Sequence, residues 1–172
     1  MTTPRIIAAA TLGLALLAPV ASGCSSTSDQ STTTTDSGAV EDTPTAACAT
    51  DPRAETFAVG MKQASTKGLF TIVIESADPA PPQTNNNTWT IQLLDASGAP
   101  VDGATFTFDT YMPDHRHHGS IIPAAAPGTS TGEYDITRLN LFMPGLWQIT
   151  FTPTASDGTT TDSVIWTFCV PE

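Results

Sequence analysis

From residue 70 onward, apolar side chains recur at every second position. Phe70, Ile72 and Ile74 alternate with Thr71, Val73 and Glu75, and Trp89, Ile91 and Leu93 alternate with Thr90, Gln92 and Leu94. A period of two puts successive side chains on opposite faces of an extended chain, which predicts half-buried strands. The pattern returns at Phe106 and Phe108, at Tyr134 and Ile136, at Trp147, Ile149 and Phe151, and at Val164, Trp166, Phe168 and Val170. Turn formers separate these runs: Asp78-Pro79-Ala80-Pro81-Pro82, Asp95-Ala96-Ser97-Gly98, Asp102-Gly103, Pro127-Gly128, Pro144-Gly145 and Asp157-Gly158. About six to seven short strands at this spacing predict an all-β fold, an antiparallel immunoglobulin-like β-sandwich. Trp89, Trp147 and Trp166 occupy alternating strand positions and belong in its core. Residues 52–62 carry a short helical pattern, weakened by Gly60, and Asn85-Asn86-Asn87 reads as a polar turn.

The N-terminal third has no such alternation. Residues 1–23 begin with a basic region ending at Arg5 and continue through an apolar run from Ile6 to Ala18. That run is short for a bilayer span and ends in small residues, the layout of a signal peptide for export. Ala21-Ser22-Gly23 leads directly into Cys24, which resembles the lipobox of bacterial lipoproteins, although Ala21 stands where Leu, Val or Ile is commoner. The resemblance implies lipidation of Cys24 and a membrane-anchored lipoprotein of the bacterial cell envelope. Ser25 after the cysteine implies the outer membrane in a cell that has one. The other reading is a soluble secreted protein cut nearby, with Cys24 a spare thiol. Residues 24–47 are Ser, Thr, Asp, Gly and Ala with almost no large apolar side chain, so they read as a disordered tether ahead of a domain at 48–172. The net charge of −11 becomes more negative once a leader containing Arg5 and no acid is removed. Such a balance argues against nucleic acid or an anionic membrane surface as a partner and admits a cationic ligand, while also serving solubility.

The chain has three cysteines. Lipidation of Cys24 leaves Cys48 and Cys169, at opposite ends of the folded part, and an oxidising compartment favours a disulfide between them. The chain-entropy model gives about 4–5 kcal/mol for closing a loop of that size. A metal site on these two sulfurs would lack a second cysteine or a histidine nearby in sequence.

All three histidines fall within Met112-Pro113-Asp114-His115-Arg116-His117-His118. In an extended segment His115 and His117 share one side, within reach of a single ion, while His118 faces away unless the chain turns at Gly119-Ser120. Met112 and Met143 each precede a proline. If the two Met-Pro segments meet, imidazoles and thioethers would form a site suited to copper, thioether with imidazole favouring Cu(I) and a histidine-rich, oxygen-assisted set Cu(II). Arg116 would sit beside the bound cation unless Asp114 pairs with it. The competing reading is structural: proline fixes the turn, methionine fills a gap and histidine caps backbone carbonyls, leaving a protein-interaction or scaffold domain with an envelope protein as partner. Catalysis is not expected, because the chain has no nucleophile elbow, no His-Glu-x-x-His and no phosphate loop. Asp114 and His115, adjacent in an extended chain, point apart and have no nucleophile to serve.

Several segments together resemble the YtkA-like domain family, which is related to FixH-type domains. They are Asn87-Thr88-Trp89-Thr90-Ile91, the turn from Leu94 to Ala104, Tyr111-Met112-Pro113-Asp114-His115 and the run from Leu139 to Trp147. The similarity extends over roughly residues 68–170, and the Met-Pro-x-His and Met-Pro-Gly-x-Trp segments are its most specific parts. It implies an immunoglobulin-like sandwich held to a membrane by an anchor or lipid, in a family some of whose members are linked to copper handling or oxidase assembly. Arg116 between the histidines and the additional His118 depart from the commoner His-Gly-His-Gly form.

Overall fold

The computed structural model describes residues 48–171. The expected signal peptide, the lipidated Cys24 and the tether lie outside them. Nine strands follow in chain order: β1 (Lys62–Ala64), β2 (Phe70–Asp78), β3 (Asn85–Asp95), β4 (Thr105–Met112), β5 (His117–His118), β6 (Ala124–Pro127), β7 (Glu133–Leu141), β8 (Gly145–Thr154) and β9 (Val164–Val170). The six long ones are those the alternation marks, and β1, β5 and β6 are short additions at sheet edges. One sheet has the order β1-β2-β3-β7-β6 and the other β5-β4-β8-β9, with every pairing antiparallel. In immunoglobulin lettering β2-β3-β7-β6 corresponds to A-B-E-D and β5-β4-β8-β9 to C′-C-F-G.

The core lies between the sheets and is made of the alternating residues. Ile72, Ile74, Trp89, Ile91, Leu93, Ile136, Ile149, Phe151 and Trp166 are fully buried. Aromatic side chains cross the interface edge to face, as with Trp89 and Phe168 at 5.9 Å and Phe106 and Tyr134 at 4.8 Å. Trp89, Trp147 and Trp166 all sit in this core as expected. Two irregularities reset the phase of the long strands. The β2/β3 register shifts between Ile74 and Ser76, and the β3/β7 register shifts where Arg138 adopts a φ of 60°. The second lets β7 bury Leu139 and Leu141 after Ile136, which strict alternation would turn outward.

Two local expectations are corrected. Asn85-Asn86-Asn87 is not a turn but the start of β3, because the buried Asn87 amide satisfies its hydrogen bonds against Gln83, Asn85 and Leu139. Residues 52–62 form no helix. Residues 52–61 run as an irregular strap leading into β1, in which the Glu55 amide donates to Thr167 O at 2.7 Å and Phe57 packs against Trp89 and Phe168. Burial of one aromatic ring against the sandwich outweighs a weak helical propensity there. The strap is tied at its start by Cys48 and Cys169, whose sulfurs are 2.11 Å apart across a sequence separation of 121.

Candidate functional site

The histidine segment is a hairpin between β4 and β5. Met112 pairs with His117 and Tyr111 with His118, leaving residues 113–116 as the loop. Pro113 supplies a fixed φ at its first position. Arg116 closes it: its φ is 58°, and its amide donates to Met112 O at 2.7 Å.

Alternation then separates the side chains. His117 lies opposite Met112 on the inner face, where its ring stacks on Phe142 at 5.4 Å and 28° and meets Trp147 at 6.3 Å. His118 lies opposite Tyr111 on the outer face, its Nδ1 2.7 Å from an Asp109 carboxylate oxygen and its ring 4.8 Å from that of Tyr111. The exposed His115 returns to the side of His117, with ring centroids 5.8 Å apart. So His115 and His117 come together, and His118 does not join them.

The two Met-Pro segments do meet. Gly145, which follows Met143-Pro144, has a φ of 133°, and a Cβ there would stand 2.7 Å from the Met112 methyl carbon. The Trp147 indole donates to Met143 O at 2.9 Å and so fastens the β7/β8 connection. Trp89 and Trp166, in contrast, bury their indole N–H groups without an acceptor among the described residues. Met112 is only 1% exposed, which commits its thioether to the core, whereas Met143 is half-buried against it.

Charge around the hairpin differs from expectation. Asp114 pairs not with Arg116 but with Arg53 of the strap, at 2.8 and 3.0 Å, and the same guanidinium holds Asp51 at 2.6 Å. Hydrogen bonds from Arg53 lower the Asp51 pKa to about 2. Arg53 was not legible as part of the site, because nothing local links it to a loop 61 residues away. Phe142 was also missed, although an exposed aromatic directly before Met143-Pro144 was the available signal.

Two imidazoles bound to one ion through metal–nitrogen bonds of about 2.0–2.1 Å keep their ring centres within about 6.4 Å of each other. The 5.8 Å between His115 and His117 meets that limit. Among the described residues no group of three or more His, Cys, Asp or Glu side chains is placed to hold an ion.

Sheets in this order, with paired histidines on the C/C′ hairpin, define a small immunoglobulin-like β-sandwich domain. The chain belongs to the YtkA-like family, whose model matches residues 62–152. That span includes Met112, His115, His117, His118 and Met143 and stops short of both bridged cysteines. No curated protein matches the chain.

Proposed function

We propose that this YtkA-like protein is a non-catalytic lipoprotein of the bacterial cell envelope, exported and anchored through Cys24, that binds copper at the hairpin end of its sandwich. The observation that carries the copper reading is the 5.8 Å approach of the His115 and His117 rings. Met143 is the thioether better placed to join them, because Met112 is taken up by the core. Copper suits such a set better than zinc, since Cu(I) accepts few ligands and favours soft sulfur, while Zn(II) prefers a complete tetrahedral set. His118 takes no part in this site, its ring being engaged by Asp109.

Titrating the whole chain with Cu(I) and Cu(II) against a competing chelator tests this. The unmodified protein should hold the metal more tightly than a His115→Ala/His117→Ala variant. Equal, weak binding by both would reject a copper site. Mass analysis of the membrane fraction should find acyl chains on Cys24, and an unmodified N-terminus further along would reject the anchor.

One observation favours the second reading, a protein-interaction domain with a structural histidine. His117 stacks on Phe142, which is itself 41% exposed, so together they form an aromatic patch. If the double variant loses thermal stability but no metal affinity, that reading takes precedence.

A further inference from the structure

A pocket of about 290 Å³ opens between the strap, the proline-rich β2/β3 turn and β9. Its walls include Ala54, Phe57, Pro81, Pro82 and Phe168, and its charged member is Glu55. The two phenyl rings meet edge to face at 5.5 Å, which makes one wall rigid and aromatic. Glu55 is held in place twice over: its amide donates to Thr167 O, and its Oε1 accepts from the Thr167 amide at 3.1 Å.

No Lys, Arg or His of the described residues forms an ion pair with Glu55. The cation nearest in sequence, Arg53, is engaged by Asp51 and Asp114. Partial burial raises the Glu55 pKa, against the opposing hydrogen bond from Thr167. A carboxylate fixed among apolar walls without a countercharge is stabilised by any cation that can enter with it.

We propose that this pocket binds an alkylammonium group, its aliphatic stem against the prolines and phenyl rings and its ammonium on the Glu55 carboxylate. The apolar walls select a stem, and the single acid selects the charge at its end. Aromatic faces add attraction for a cation, and the net charge of −11 repels anionic competitors of the same shape. The reading is independent of the copper proposal, because no residue is shared.

Two-dimensional NMR titration of the full chain with n-butylammonium, n-butanol and butyrate tests it. The ammonium should perturb Phe57 and Phe168 and bind at least about tenfold more tightly than the isosteric alcohol or acid. Glu55→Gln retains an acceptor for the Thr167 amide and should lose about tenfold in affinity with the unfolding midpoint unchanged. A capped lysine amide separates the two sources of such a group. Binding as tight as that of butylammonium assigns the pocket to lysine side chains of a partner, and exclusion of the capped lysine assigns it to free amines. Equal binding of butanol and butylammonium to the unmodified protein, or no binding of the ammonium, would overturn the proposal even if Glu55→Gln failed to fold.

Discussion

Asn87 is fully buried, and both atoms of its side-chain amide are in use. Its oxygen accepts from the Gln83 amide at 3.0 Å, and its nitrogen faces the carbonyls of Gln83, Asn85 and Leu139 at 2.8, 3.0 and 3.3 Å. Replacing it by Ala strands several backbone groups away from water, so Asn87→Ala should cost about 2–4 kcal/mol in urea unfolding. Asp162 plays a comparable part at the other end of the domain. It is buried, and it accepts from the Thr66 hydroxyl and from the amides of Lys67 and Ser163. Burial alone would raise its pKa, but the hydroxyls of Ser65 and Thr66 and the two amides outweigh that and hold it well below the usual carboxylate range. A depressed folded pKa contributes stability that is complete above the unfolded value of about 3.9 and is lost as pH falls below it. Thermal unfolding of the unmodified protein should therefore fall more steeply below about pH 4 than that of Asp162→Asn. Parallel curves would reject this assignment.

The hairpin and the strap act on each other through one guanidinium. Arg53 spans Asp51 and Asp114, and all three are exposed or partly so, so solvent screening leaves the contact little weight in overall stability. Its effect should be on position: Arg53→Gln should leave the unfolding midpoint nearly unchanged, speed amide exchange in residues 114–116 and weaken the copper binding proposed above. Gly145 fixes the facing connection. At its φ of 133° a side chain is strained, so Gly145→Ala should cost about 1–3 kcal/mol by urea unfolding. These elements also mark what the chain displays openly. Alternation at Phe70, Trp89, Trp147 and Val164 reveals the long strands, because one buried face imposes a period of two. It does not reveal the break at Arg138, where a positive φ inverts the phase, nor the extension of β3 through Asn87, whose polarity is satisfied only by groups the fold brings in. The separation of His117 from His118 follows from alternation alone. The return of His115 towards His117 depends on Arg116 closing the loop, and the capture of Asp114 by Arg53 is a long-range contact with no local signature.

At the scale of the molecule, one covalent link joins the first described residue to the last strand. Cys48 is 5% exposed and its partner Cys169 lies opposite Leu146 of β8, so the link secures the strap over the edge of the core. Replacing both cysteines by serine should cost about 2–5 kcal/mol, measured by urea unfolding with and without reductant. The unmodified protein should lose a similar amount on reduction, and the variant none. Three of the four edge strands of the two sheets are short. β1, β5 and β6 have 3, 2 and 4 residues, β6 ends in Pro127, and the outer edge of β9 is occupied by Glu55 at Thr167 and by Thr66 at Ser163. Bare strand edges are templates on which a neighbouring chain can add. β4 is the exception: β5 covers it only at Tyr111 and Met112, so two copies brought together in concentrated solution would meet an open edge at residues 105–109.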